Sequence, residues 1–133
     1  MSNELGVIIK ARDLTDYILL ITDKSPKKFR MTLISRLVNL SLDIVENLYR
    51  ANAIKAVDMQ SKETRLQYQR EAKVSIDMLC CVAEIVRKQQ CIQPKHFNQI
   101  CIMSTEVRKC YMRGYGIVNI CAVFKPTKLC SFS

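Results

Sequence analysis

The side chains best suited to chemistry are one histidine and seven cysteines, and their spacing indicates neither a catalytic nor a metal site. His96 follows Pro94 and Lys95 at the predicted start of a helix. A general base needs a partner and a held geometry, and the sequence identifies neither for this residue. The cysteines contain no CxxC pair and no zinc-type Cys/His block. They are Cys80, Cys81, Cys91, Cys101, Cys110, Cys121 and Cys130.

Other catalytic arrangements are equally weak in this sequence. Asp43 and Glu46 are one helical turn apart, but each suits a solvated helix face. The three glycines, Gly6, Gly114 and Gly116, form no phosphate-binding loop. No Ser/His/Asp set can be assembled from the spacing. We therefore predict a protein that is not an enzyme and that uses no metal and no cofactor.

Lysine and arginine dominate the charged residues. They number 21 against 12 Asp and Glu, which gives a formal net charge of +9. This excess indicates a polyanionic partner such as nucleic acid, an acidic protein or a membrane surface, with solubility alone as the alternative. The cations fall in clusters along the chain. The candidate binding residues are Lys24, Lys27, Lys28, Arg30, Arg65, Arg70, Lys73, Arg87, Lys88, Arg108, Lys109 and Arg113.

These clusters suit contact with phosphates. Each phosphate that a cation neutralises releases counterions, so the affinity would fall steeply with salt. Aromatic residues make up only 7% of the chain and include no Trp, so we expect contact with backbone and shape and little base stacking. A solvated helix face is the alternative for any single cluster. Together with the net charge, the clusters favour a nucleic-acid partner, RNA or DNA.

The cluster around Pro26 has the wrong sign for its position. Pro26, Lys27, Lys28 and Arg30 stand at the predicted start of a long helix. A helix N-terminus favours acidic residues, by about 0.3–1 kcal/mol each. This misplacement suggests that the cations serve something other than the helix.

Four amphipathic helices are predicted to position the clusters. Apolar residues recur at steps of three and four over residues 5–23, 26–53, 61–90 and 94–113. Ser25 is the predicted N-cap of the second helix, with Pro26 at its first position. Pro94 suits the first turn of the fourth helix, and Gly114 and Gly116 end it. The predicted core residues of the first helix are Ile8, Ile9, Leu14, Tyr17, Ile18 and Ile21.

These helices predict an all-α fold, an up-down four-helix bundle over residues 1–116. Residues 117–133 form a tail that could be a strand, a docked segment or disordered. Cys80, Cys81 and Val82 widen the apolar face of the third helix, which indicates either subunit contacts or a broader buried face. No apolar run reaches the ~18 residues of a membrane helix, and no signal peptide is recognisable. We therefore expect reduced thiols and a cytoplasmic location.

One stretch of the chain resembles a known family. The segment "DLTDYILLITDKSPKKFRMTLISRLVNLSLDIVENLYRAN" is similar to the start of the accessory variability determinant proteins of diversity-generating retroelements. In that family a first helix ends before a Pro-Lys-Lys/Arg turn, and a long second helix closes on Ala-Asn. The matching residues here are Pro26, Lys27, Lys28, Arg30, Ala51 and Asn52.

The resemblance extends over residues 13–115. The segment "RLQYQREAKVSIDMLCCVAEI" looks like the third helix of the family, with Arg65, Gln69, Ala72, Leu79 and Ile85. The segment "IQPKHFNQICIMSTEVRKCYMRGY" is similar to the fourth helix. Two departures stand out: Gly114-Tyr115 replaces a Gly-Trp ending, and the tail matches nothing in the family.

The resemblance implies a barrel-like homopentamer of basic four-helix bundles. Such proteins bind the reverse transcriptase of the element and its template RNA or cDNA, and they support the error-prone synthesis that diversifies a target gene. The resemblance makes Lys27, Lys28, Arg30, Arg65, Arg70 and Lys73 the first candidates for these contacts.

Two other interpretations are open at this stage. The four-helix-bundle proteins encoded in ribosomal RNA intervening sequences would share the fold and have an unknown partner. A helical adaptor for an acidic protein would explain the charge without nucleic acid. The number of subunits and the type of nucleic acid follow from no pattern in the sequence.

Overall fold

Four helices make up the part of the chain that the structure, a computed structural model, describes. This part covers residues 2–113, with side chains from residue 6 to residue 110. We label the helices α1 (Ser2–Ile21), α2 (27–53), α3 (Met59–Lys88) and α4 (Pro94–Arg113). The all-α prediction is confirmed over these residues. Gly114, Tyr115, Gly116, Cys121, Cys130 and the predicted tail 117–133 lie outside them, as does the side chain of Arg113.

Helix α2 is composed of three consecutive segments. An α-helical turn Lys27–Phe29 leads into a π-helical turn Arg30–Ile34, and an α-helix Ser35–Ala53 follows. The N–H of Ser35 donates to the carbonyl of Arg30, five residues earlier, which widens the helix locally. The apolar steps in this region gave no sign of the π-helical turn, because residues four apart share a face in either kind of helix.

The start of α2 corrects one expectation from the sequence. Ser25 does not cap the helix, because its hydroxyl donates to the carbonyl of Cys91 at 3.4 Å. Pro26 occupies the N-cap position, and no side chain caps this end. A tertiary contact has therefore taken the hydroxyl that local preference assigned to the helix.

The helices pack as a closed ring of neighbours. Helix α1 contacts α2 and α4, and α3 contacts the same two helices. Short connectors, residues 22–26, 54–58 and 89–93, join successive helices. Because such connectors return the chain at once, packed neighbours run antiparallel. The described residues therefore form a helical bundle.

The interior of the bundle is built from aliphatic stripes on all four helices. Of the six predicted core positions on α1, Ile8, Leu14 and Ile18 are buried and Tyr17 and Ile21 are half-buried, but Ile9 is 47% exposed and its prediction as a core residue was wrong. Ile9 lies about 100° around the helix from Ile8, and this rotation takes it off the buried face, whereas Val7, on the other side of Ile8, is buried. The largest fully buried apolar side chains are Phe97, Leu14, Ile18, Leu37, Ile44, Ile76, Leu79 and Ile100.

Both ends of α3 carry recognised capping motifs. At its start, Ser61 N–H donates to Asp58 Oδ1 at 2.7 Å, and Asp58 N–H donates to Ser61 Oγ at 3.0 Å. This capping box begins the helix at Met59, and its hydrogen bonds lower the pKa of Asp58. At its end, Gln90 N–H donates to the carbonyl of Arg87 and Cys91 N–H donates to that of Val86. These two bonds form a Schellman motif.

The Schellman motif generates a stability prediction. Gln90 occupies its left-handed position with φ 64°, where a Cβ conflicts with the following carbonyl. Gln90→Gly removes this conflict of about 1–2 kcal/mol and adds unfolded-state entropy worth about 0.5–1 kcal/mol. We expect a net gain of about 0.5–1 kcal/mol in the free energy of unfolding, measured with urea. Gln89→Gly, at a φ of −82°, is the control and should lower that free energy. A loss in Gln90→Gly would contradict this interpretation of the turn.

Arg108 lies inside the bundle, which corrects its prediction as a surface residue. Its side chain is 2% exposed and donates from Nη2 to the carboxylate of Asp77 on α3. Lys73 Nζ lies 3.2 Å from the other carboxylate oxygen, so Asp77 holds two cations. Arg108 follows Ser104 by four residues and Cys101 by seven, and this spacing places it on the buried face of α4.

Asp77 should therefore contribute more to stability than a surface acid. Asp77→Ala deprives the buried Arg108 guanidinium of its carboxylate, and we expect a loss of about 2–3 kcal/mol in the free energy of unfolding. Glu63→Ala removes the exposed partner of Arg70 and should cost less than about 0.5 kcal/mol. Urea unfolding monitored by circular dichroism compares the two variants. Equal losses in the free energy of unfolding would show that the interior ion pair stabilises the protein no more than the exposed one.

Candidate nucleic-acid interface

Two connectors that are far apart in sequence meet at one end of the bundle. The hydrogen bond from Ser25 Oγ to the carbonyl of Cys91 joins residues 22–26 to residues 89–93. We call this end of the bundle, with the helix turns that flank the two connectors, the connector end. Two of the basic clusters predicted from the sequence are thereby combined into one surface.

The connector end is rich in cations. Its basic residues come from the start of α2, the end of α3, the start of α4 and the connectors between them. Asp23 and Glu84 lie at the same end, and Glu84 is engaged by Arg87. The basic residues are Lys24, Lys27, Lys28, Arg30, Arg87, Lys88 and Lys95.

Arg30 holds the first connector together. Its Nε donates to the carbonyl of Ser25 at 3.1 Å, and its Nη2 donates to that of Asp23 at 3.4 Å. Arg30 therefore has a structural role, which accounts for part of the charge at this helix start. Lys27 and Lys28 are exposed, and the Nζ of Lys28 lies 5.0 Å from the centroid of the Phe29 ring.

Arg87 and Lys88 differ in how freely they present their charge. Arg87 makes a two-point contact with Glu84, with 2.8 Å between Nη2 and Oε2, and its guanidinium carbon lies 5.5 Å from the centroid of the Phe97 ring. Its side chain is only 14% exposed, and the pair raises its pKa. Lys88 is 66% exposed, with Nζ 4.0 Å from Glu84. Lys88 is therefore the better placed of the two to bind an anion.

The other candidate residues lie away from the connector end. Arg65, Arg70 and Lys73 belong to the first half of α3, and Lys73 is about 20 Å from Lys88 along the helix. Arg70 pairs with Glu63 at 3.2 Å, and Arg65 is half-buried. Lys109 is exposed and Arg113 is the last residue of α4, so both are at the opposite end of that helix from Pro94. The structure thus separates the candidates into two groups.

A cleft opens between the two connectors. Its volume is about 1070 Å³. Residues from the end of α1 line part of it, and residues of the third connector, 89–93, line another part. The lining includes Tyr17, Leu20, Lys24, Lys88, Gln90 and His96.

His96 has a structural role that the sequence analysis missed. Gln93 N–H donates to His96 Nδ1 at 3.5 Å, and His96 N–H donates to the Gln93 carbonyl at 3.0 Å. The bond to Nδ1 is one half of a capping box, the half in which the N3 side chain accepts from the N-cap N–H, with His96 in the place of the usual Glu or Gln. The ring also contacts Tyr17 edge to face, with 6.3 Å between centroids. The three-residue spacing from Gln93 was the signal available in the sequence.

The thiols and acids offer no metal site within the described residues. No three His, Cys, Asp or Glu side chains there are grouped to hold a metal ion. Cys80 and Cys101 are both buried, and the contact with the Cys101 thiol, followed by that with Ser104, lowers the pKa of Cys80. Their burial keeps these thiols from a substrate in solution. None of the four helices has the length and apolar content of a membrane span.

Comparisons with known proteins add no identification. The chain matches no protein-family model, no curated protein and no solved structure. The resemblance to the accessory variability determinant family stays a prediction that depends on the segments quoted above.

Arg30 provides a test of how the first connector is held. Arg30→Gln removes the bonds to the two connector carbonyls, and we expect a loss of about 1 kcal/mol in the free energy of unfolding. Amide hydrogen exchange in residues 22–26 should become faster. Lys27→Gln changes the same charge at an exposed neighbour and should leave both measurements unchanged. If the two variants behaved alike, the bonds of Arg30 would not be holding the connector.

Proposed function

We propose that the protein is a non-catalytic accessory protein of a diversity-generating retroelement. In this proposal it binds the reverse transcriptase and template RNA or cDNA through the connector end and supports mutagenic retrohoming in the cytoplasm. The observation that carries the proposal is the meeting of two basic segments on one surface, joined by Ser25 and Cys91. The resemblance supplies the identity of the partners.

The surface has the properties that phosphate binding requires. Lys24, Lys27 and Lys88 are exposed, and the first two make no ion pair within the described residues. Free ammonium groups can exchange their counterions for phosphates, which makes binding favourable at low salt and weak at high salt. Contacts of this kind position a nucleic acid without reading its sequence.

An apolar stripe on α3 supports assembly into a homo-oligomer. Val74 and Ile85 are 59% and 46% exposed, and Met78 and Cys81 lie between them on the same helix face. Exposed apolar stripes of this kind are typical of contact surfaces. Cys80 and Val82, which widened the predicted face, are buried in the bundle itself. By resemblance the oligomer is a pentamer, which would bring several connector ends together.

Two alternative functions use the same observations differently. A protein of the ribosomal RNA intervening-sequence type would have the same bundle, and its gene would lie without a reverse transcriptase gene and a variable repeat beside it. A helical adaptor would use the α3 stripe to bind a protein, and that binding would survive nuclease with little dependence on salt.

RNA binding at several salt concentrations tests the proposal. We expect Lys27→Gln/Lys28→Gln to reduce the slope of log K against log salt by about 1.5–2 units, because two phosphate contacts are lost. Fluorescence anisotropy with a structured RNA measures the slope. Light scattering on the same sample should give a mass near that of five subunits.

The control places the same charge change elsewhere. Lys55→Gln/Lys62→Gln alters the connector between α2 and α3 and the start of α3, and its salt slope should equal that of the unchanged chain. The reverse transcriptase encoded beside the gene should co-purify with the control variant and more weakly with Lys27→Gln/Lys28→Gln. No RNA binding at low salt, or equal losses in both variants, would overturn the proposal.

A further inference from the structure

The cleft at the connector end has one apolar wall. Leu20 is 74% exposed, and Tyr17 beside it is half-buried. The Tyr17 ring meets the His96 ring edge to face at an interplanar angle of 75°, which fixes both rings. An exposed leucine beside an oriented aromatic pair offers a contact surface for a flat, apolar ring. The volume of about 1070 Å³ is ample for a ligand of small-molecule size.

Three basic residues, Lys24, Arg87 and Lys88, line the same cleft against one acid, Asp23, so cations are in excess there. Lys24 makes no ion pair within the described residues, and Lys88 stands 4.0 Å from a carboxylate that Arg87 already engages at 2.8 Å. Their ammonium groups are therefore available to an anion that enters the cleft. A phosphate accepts hydrogen bonds from two lysines at once, and such charge-assisted bonds are stronger than neutral ones.

Amide side chains complete the lining. Gln93 lies at the start of α4, and Gln90 is held in the left-handed region with φ 64°. This conformation belongs to the Schellman motif that ends α3. Gln90 adds to the cleft an amide that can both donate and accept, as the edge of a nucleobase does.

We propose that this cleft binds a single nucleotide. The phosphate lies between Lys24 and Lys88, the base packs against Tyr17 and Leu20, and the amides of Gln90 and Gln93 bond its polar edge. A bare phosphate would leave the apolar wall uncovered, and an uncharged aromatic ligand would leave both lysines unused. A nucleotide is the chemical class that contacts both the apolar wall and the two lysines.

Such a nucleotide can come from two sources, a free nucleoside phosphate or an unpaired residue of a nucleic-acid strand. The second source deepens the proposed function and rests on it, because it adds local recognition of an unpaired nucleotide to a phosphate-binding surface. The first source requires no nucleic-acid partner. The two proposals can therefore fail separately.

His96 makes the experiment specific to the cleft. It is the single histidine of the chain, so its ring protons give one isolated set of signals in the proton NMR spectrum of a tag-free, full-length protein. The probes are adenosine 5′-monophosphate, adenosine, ribose 5-phosphate and inorganic phosphate, titrated at constant pH and ionic strength. We expect a saturable shift with adenosine 5′-monophosphate. Each of the three fragments should bind at least about fivefold more weakly than this nucleotide.

Matched variants separate the cleft from the net charge. Lys24→Gln/Lys88→Gln should weaken adenosine 5′-monophosphate binding about tenfold, because both phosphate contacts are lost. Lys55→Gln/Lys62→Gln makes the same charge change outside the cleft and should leave the affinity unchanged. Leu20→Ser tests the apolar wall and should weaken binding about threefold, with no effect on inorganic phosphate. All four lysines and Leu20 are exposed, so these variants should fold.

A blunt RNA duplex and the same duplex with unpaired 3′ nucleotides distinguish the sources. A larger His96 shift with the unpaired end, competed by adenosine 5′-monophosphate, would support strand recognition. If only adenosine 5′-monophosphate shifted His96, the cleft would be a free-nucleotide site. If the duplex bound without a His96 response to any probe, the inference would be overturned and the proposed function would stand. An equal response to inorganic phosphate, or no effect of Lys24→Gln/Lys88→Gln, would also overturn it.

Discussion

The short connectors between successive helices are the constraint from which the rest of the structure follows. Each apolar stripe must be buried against another helix, and connectors of about five residues allow only the next helix, running the opposite way, to do this. The first and third connectors must then lie at the same end of the bundle. The bond from Ser25 to Cys91 is the local consequence of that arrangement. The basic surface and the cleft both exist because the two connectors are neighbours.

The basic residues of the chain fall into two groups, those that the fold buries and pairs with acids and those that stay exposed to solvent. Arg108 is buried and tied to Asp77, and Arg87 is largely covered by Glu84 and Phe97. Desolvating a guanidinium is costly unless a carboxylate accompanies it, so these two arginines belong to the framework. Lys27 and Lys88 remain in water at no such cost. A high net charge therefore overstates the number of cations that can meet a partner.

The connector end also combines local departures from regular helix geometry. The π-helical turn Arg30–Ile34 follows the first connector after the single turn Lys27–Phe29, and the left-handed Gln90 lies in the third connector. π-helical turns and strained backbone recur at functional sites in proteins. Here each departure lies within one helical turn of an exposed lysine, Lys27 or Lys88. The opposite end of α3 begins instead with a regular capping box.

Local signals in the sequence were sufficient for the helices and their apolar faces. Pro94 marked the start of α4, and the three- and four-residue steps through Leu37, Ile44 and Ile76 identified the core, because helix periodicity is a property of neighbouring residues. The error at Ile9 arose at the edge of the apolar face, where hydrophobicity alone did not decide which neighbour of Ile8 is buried. The burial of Arg108 and the π-helical turn were beyond such signals.

What the sequence by itself determined was therefore the four amphipathic helices, their approximate limits and the supply of cations. Tertiary structure alone decided which cations share a surface, because that depends on contacts between residues such as Ser25 and Cys91, 66 positions apart. It also decided that the Ser25 hydroxyl bonds to the third connector and not to the helix beside it, and that His96 on α4 contacts Tyr17 on α1. These are contacts between distant segments, and periodicity along one segment carries no information about them.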